Sequence, residues 1–370
     1  MARRHQQQVD VNDLNHKAET DTMVGNGSSS LEIANGELLS TGSKASFAAL
    51  NALVKEIVAK STWWELYGVD LSFLCLSFVL FFFGFYLMQS TLKLIFISGF
   101  LMTAYAHAMF TVKLGHSAVH NSLAGRSRTL NWFLNVLFVE IFGGFTAEGA
   151  EEAHIKLHHP YTNVIGLGDS SSWRAPFLDR YMYLFIAPNA LMFVYPLVSQ
   201  TLIPNKWQLR VRLLASHLFG FLLYFSLLRY VSCLSVPASL LCVWLIRGLF
   251  SVPYIHVNIF QHIGLPMYEK NARPPRLHQM TTGVLNLARN PILDYSFGHS
   301  LISCHVEHHL FPQLSDNMCL KIKPVVRQYV KSYGLPYKEG TYKELLTKFY
   351  NEYEDLMVKA PPITKFVGFQ

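Results

Sequence analysis

The sequence predicts an all-α integral membrane protein, with four transmembrane helices in two hairpins, further in-plane helices, and a cytosolic cap that carries clustered histidines. Three observations predict it. Of 370 residues, 51% are hydrophobic, 14% aromatic and only 15% charged, whereas a soluble domain carries about 25% charged residues. The apolar residues gather into two pairs of long runs, each pair joined by a short turn. Sixteen histidines are present, and most fall just beyond those runs. The composition excludes an ordinary soluble enzyme, a disordered chain and a disulfide scaffold.

The elements follow in chain order. Residues 1–44 are rich in Asn, Gly, Ser, Thr and Asp, have no apolar leader, and read as a disordered cytosolic tail. Residues 45–66 read as an amphipathic interfacial helix. Phe47, Leu50, Leu53, Val54, Ile57 and Val58 recur at helical spacing opposite Lys55, Glu56 and Lys60, and Trp63, Trp64 and Tyr67 suit the headgroup level. Residues 67–312 form the expected membrane domain, with spans at about 69–88, 93–112, 212–229 and 233–255. The uncharged runs Leu71–Met88 and Leu94–Val112 are long enough at 1.5 Å per residue to cross roughly 30 Å of hydrocarbon. Only Gln89–Lys93 separates them, so they form a hairpin. Leu130–Phe145 is short and interrupted by Glu140, which predicts an in-plane or re-entrant segment. The stretch 181–203 is broken by Pro188, Asn189 and Pro196 and precedes Lys206, Arg210 and Arg212, so it is expected not to span. Arg247 lies inside the last apolar run, where a charge is costly unless it snorkels or meets a polar site. Residues 313–370 contain no run long enough to span and read as a cytosolic helical tail.

The remaining composition is less informative. The five cysteines, Cys75, Cys233, Cys242, Cys304 and Cys319, are odd in number and form no CxxC, so free thiols are expected. The net charge of +7 suits flanks facing anionic lipid. No basic run is interleaved with aromatics, so membrane lipid and not nucleic acid is the expected partner.

The histidines carry the chemistry. They occur as His116 and His120 after the second run, His154, His158 and His159 after the in-plane segment, His262 at the end of the last run, and His299, His305, His308 and His309 beyond it. On an α-helix, residues i, i+3 and i+4 share a face. His116 with His120, His154 with His158, and His305 with His308 and His309 are therefore expected to point together. A neutral imidazole is a good ligand for iron, copper and zinc. A lone histidine is more often a core or surface residue, which is the reading for His5, His16, His107, His217, His256 and His278. Nine clustered ligands exceed what one zinc ion takes. The HExxH of a zinc protease is absent. The set suits two metals with open positions, and imidazole-rich open sites favour iron for oxygen chemistry without excluding other metals. Glu140, Glu148, Glu151, Glu152 and Glu307 are candidates to orient the rings from behind.

Segments of the form HxxxH, HxxxHH and HxxHH, in this order around two hairpins, resemble the membrane fatty acid desaturase and hydroxylase superfamily over residues 60–335. His158-His159-Pro160-Tyr161-Thr162-Asn163 is similar to that family's HHxxTN, and His308-His309-Leu310-Phe311-Pro312 to its HHLFP. Asn258 and His262 resemble the NxxxH of acyl-CoA desaturases, and His299 the extra histidine of acyl-lipid desaturases. The second segment has three residues before its HH pair where many relatives have two, and Ser303 stands where acyl-lipid relatives often have Asp.

The resemblance implies an oxygen-dependent fatty acyl desaturase that introduces a C=C bond. Two Fe ions would be held by His116, His120, His154, His158, His159, His262, His305, His308 and His309, with Asn258 acting through water, His299 standing behind the ligands, and O2 as co-substrate. The implied substrate is a fatty acyl lipid or acyl-CoA. HPGG, the mark of a fused cytochrome b5 domain, is absent, so cytochrome b5 and its reductase are implied as separate electron donors. The implied place is the endoplasmic reticulum, with both termini cytosolic. A lipid hydroxylase on the same scaffold, or a non-catalytic metal-binding membrane protein, are the rival readings.

Overall fold

The computed structural model describes residues 44–123, 125, 127–168, 174–190 and 207–359, together with a short antiparallel pair, Ile33–Ala34 and Glu37–Leu38. Nearly all of the tail expected to be disordered, and residues 191–203 of the stretch expected not to span, lie outside the described residues. The fold is all-α. Four described helices are long and apolar enough to cross a bilayer: Trp64–Leu87, Lys93–Val119, Trp207–Val231 and Val236–His262. These are called the first to fourth spans below.

The first two spans pack as a tight hairpin because small residues face each other. A Cβ on Gly99 would stand 2.6 Å from the carbonyl oxygen of Gly84, so only glycine permits this backbone approach. The core beneath them is aromatic. Phe81 makes edge contacts with Phe110, Phe142 and Tyr224, and Phe110 stacks on Phe142 at 4.6 Å. The outward side chains, including Val79, Phe82, Leu94, Leu218 and Leu241, are exposed and apolar, as a lipid-facing surface requires.

The segment expected to lie in the plane or re-enter is a bent pair, Arg128–Phe142 and Ala147–His158, whose limbs meet at 95°. The sequence ends the first limb at Gly143 and Gly144 and restarts at Thr146, whose hydroxyl caps Gly149 N. Glu140, the charge that interrupts this apolar run, accepts from Ala147 N at 3.1 Å and pairs with Arg212 at 2.7 Å. Arg247 does not snorkel. It turns inward, donates to the Phe142 carbonyl at 3.3 Å and lies over the Tyr224 ring.

The cap is built from Phe47–Ala59, Arg276–Gly283, His305–Leu310 and Asp316–Ser332. Leu50 and Val54 are buried in one cluster with Ile322, Val326 and Phe311, and Phe47 stacks on Phe311. The apolar stripe of Phe47–Ala59 is thus covered by the cap. An apolar stripe reports that a face is covered, but not by what. The chain then turns back. Phe349 of Tyr342–Asn351 packs on Phe260, and Tyr342 OH meets His256 Nδ1 at 2.6 Å, satisfying a histidine read as structural.

Candidate metal centre

The ligand-bearing segments are mostly continuations of membrane-embedded helices. The second span runs past its apolar stretch to place His116 within it and His120 just beyond its end. The fourth span ends on His262. The second limb of the bent pair carries His154 and His158, with His159 as the next residue. The cap helix His305–Leu310 carries the rest.

Eight of the nine expected ligands fall in two compact groups: His116, His120, His154, His159 and His308 in one, and His158, His262 and His309 in the other. The ninth, His305, joins the second group, its Nε2 lying 2.9 Å from that of His262. Within the first group, Nε2 of His159 stands 3.1 Å from His120, 3.2 Å from His154 and 3.1 Å from His308, and Nε2 of His116 stands 3.0 Å from His154. One N–H cannot serve so many nitrogens. Two nitrogens that bind one ion at about 2.1 Å stand roughly 3.0–3.4 Å apart, so these spacings suit shared coordination. His309 Nε2 is buried with no hydrogen-bond partner, as a ligand nitrogen would be.

The partition differs from the expected one. His154 and His158 were expected to point together, but Glu151–His158 is a π-helical stretch, and the His159 amide donates to the His154 carbonyl five residues back at 3.1 Å. A π-turn closes on i+5, so His154 pairs with His159, and His158 turns to the other group. In the cap, His305 and His309 share the α-helical i, i+4 face, while His308 points to the first group. Each adjacent HH pair therefore serves both groups, because neighbouring residues on a helix point in different directions.

The rings of the second group are oriented by oxygen atoms behind them. His305 Nδ1–H donates to the Ser300 carbonyl at 3.0 Å, His262 Nδ1–H to Gly283 and His158 Nδ1–H to Gly168, both at 3.4 Å. Thr162 spends its own hydroxyl proton on the His158 carbonyl at 2.8 Å, so its oxygen accepts His309 Nδ1–H at 3.0 Å. Asn163, at φ +55°, spreads its amide over the carbonyls of His262, Pro266 and Gly283. Burial holds the His159, His308 and His309 rings well below the ordinary imidazole range and His305 down to about 3, so all are neutral near pH 7 and free to ligate.

None of the five glutamates expected behind the rings has that place. Glu140 and Glu148 pair with Arg212, Glu151 and Glu152 with Lys156, and Glu307 takes Asn286 and the Tyr337 hydroxyl. The orienting groups are mainly backbone carbonyls, which no residue type marks in a sequence. Asn258 gives its amide to the Tyr254 carbonyl of its own helix at 2.7 Å and is not in either group. His299 is outside both groups too, its Nδ1 lying 3.1 Å from buried Asp294. Ser303 also donates to Asp294, at 2.7 Å. Thr162, Asn163 and Asp294 are the residues whose roles the sequence reading missed, although TN after HH flagged two of them.

Comparison with known proteins gives the family. Residues 91–341 match the family model described as fatty acid desaturase. The chain is similar to fatty acid desaturase 6 of Homo sapiens, at 48% identity over 88% of this chain and 92% of that protein. It is similar to fatty acid desaturase 6 of Bos taurus at 47%, covering 90% and 97%. A more distant likeness, to Delta(5) fatty acid desaturase A of Dictyostelium discoideum, is 24% over 71% and 64%. The chain therefore belongs to the fatty acid desaturase family of membrane oxidoreductases.

Proposed function

We propose that this desaturase is oxygen-dependent and holds two iron ions, one in the five-histidine group and one in the group of His158, His262, His305 and His309. When bound, such a pair supplies reductive activation of O2 and the oxidising power to break an unactivated C–H bond. The overall balance is that an acyl chain loses two neighbouring hydrogens, and O2 with two external electrons and two protons leaves as two waters. The chain's own residues bind, orient and exclude. Nine neutral imidazoles hold the ions without adding charge. Thr162 and the Ser300, Gly283 and Gly168 carbonyls fix which ring nitrogen faces inward. Asn258 adds a contact through water, and His299 supports the site from outside it. Burial by the cap keeps bulk water from the reacting carbon.

The substrate in this reading is a fatty acyl lipid or acyl-CoA, whose chain arrives from between the apolar spans. Electrons come from cytochrome b5 and its reductase. The site and both termini face the cytosol from the endoplasmic reticulum membrane. The convergence of Nε2 atoms from four separate segments carries the proposal. Its test is metal analysis and lipid profiling of cells expressing the wild type or His308→Ala. Two irons per wild-type chain and a product lighter by two hydrogens, both diminished in the variant, are expected. A product heavier by one oxygen would show a hydroxylase, and unchanged lipids with metal retained would show a non-catalytic protein.

A further inference from the structure

A buried ion pair lies beside the five-histidine group, where Asp316 lines a small cavity with His116, His120 and His308, and nothing in the reaction described above uses it. Lys113, three residues before His116 on the second span, pairs with Asp316, the two side chains being 2% and 1% exposed. A buried pair is a poor device for stability alone, because desolvation offsets its attraction unless further bonds are made. The further bonds lead to a ligand. Asp316 Oδ1 accepts Ser300 N–H at 2.7 Å, and the Ser300 carbonyl accepts His305 Nδ1–H at 3.0 Å.

The turn between Phe297 and His305 has no regular helix of its own, and Asp316–Ser332 splints it. Lys323, two helical turns after Asp316 and on the same face, donates to the Ser303 carbonyl at 2.6 Å. One acidic and one basic side chain thus grip an N–H and a C=O of the same turn. The fit is close at its start. Gly298 has φ +100°, and a Cβ there would stand 2.8 Å from Asp316 Oδ1. The carboxylate therefore occupies the space that the turn leaves open.

We propose that Asp316 is a positioning residue: anchored by Lys113, it fixes Ser300 and thereby aims His305 at the second ion, tying the turn that bears His305 to the span that bears His116. The inference rests on reading the two histidine groups as metal sites. Its test uses the full chain in detergent with Co2+ as the probe metal, whose visible absorption reports the ligand set. Lys113→Met/Asp316→Asn removes both charges but keeps an oxygen for Ser300 N–H. Lys113→Met/Asp316→Leu removes that oxygen as well.

The wild type is expected to bind two ions per chain. The asparagine variant keeps both, with affinity at the second site lowered by about tenfold. The leucine variant keeps only the ion of the five-histidine site, while in the metal-free state its helix content and melting midpoint match those of the asparagine variant. A leucine variant with two ions and an unchanged spectrum overturns the inference, as does an asparagine variant that loses metal as fully as the leucine one. Should the leucine variant not fold, the asparagine variant decides. Weakening confined to one site supports the role, and equal weakening at both sites, or none, overturns it. A wild type that binds no second ion overturns the metal reading and the inference together, which separates that failure from the others.

Discussion

Thr162 shows how much a single hydroxyl can decide. It gives its proton to a helix carbonyl and so can only accept from His309 Nδ1–H, which leaves Nε2 bare toward the site. Thr162→Val keeps the shape and removes the acceptor. Metal titration should show the second site weakened about 10–100-fold, with Thr162→Ser restoring most of it. A valine variant that binds both metals normally would contradict this role. The rings also set an acid limit. Burial lowers His305 to about 3 from the ordinary 6.5 and pushes His308 and His309 down as well. Below 6.5 the unfolded chain takes up these protons first. The metal-free fold is thus fully stable above that pH and loses stability as the pH falls toward 3. Melting of chelator-treated protein at pH 7.5 and pH 5 should show a lower midpoint at pH 5. The nine histidines were legible in the sequence because imidazole is conspicuous and its chemistry narrow. The groups behind them were not, because a backbone carbonyl belongs to every residue, and the glutamates that looked suited are already bonded to Arg212, Lys156, Asn286 and Tyr337.

The π-helical stretch Glu151–His158 explains how three residues can stand between His154 and the HH pair. A π-turn is an α-turn with one residue inserted, so His159 reaches the position that an i+4 histidine would take in a shorter segment. Deleting Lys156, a residue more than half exposed on its side chain, should relax the stretch to α-helix and preserve two metals per chain. Deleting Val306, which is buried in the α-helical segment between His305 and His308, should abolish binding. Metal content of the two purified variants checks the contrast, and equal loss in both would refute it. This partition was not legible because the α-helical spacing rule presumes an α-helix. The spans were legible from apolar length, but their ends were not. The second and fourth continue through polar ligand residues to Val119 and His262, where hydropathy has already fallen. The amphipathic stripe of Phe47–Ala59 was legible as a stripe, while its partner, the cap, depends on Ile322 and Val326 from far along the chain.

At the scale of the molecule, the two histidine groups stand where two spans, a bent segment and the cap meet. A ligand that binds only the folded state at a hundred times its Kd adds about 2.7 kcal/mol of stability. Chelation should therefore lower the melting midpoint and loosen the junction unevenly. Hydrogen exchange should rise at His305–Leu310 and Ala147–His158, while amides of Trp64–Leu87, held by the close crossing at Gly84 and Gly99, stay protected. Uniform acceleration across both regions would show that the metals do not brace the junction. No loop intervenes between the hydrocarbon-embedded part of the second or fourth span and the histidines at its end. A thinner or thicker bilayer that changes the tilt of either helix accordingly moves imidazoles relative to one another, which makes lipid thickness one of the quantities that set the separation of the two histidine groups.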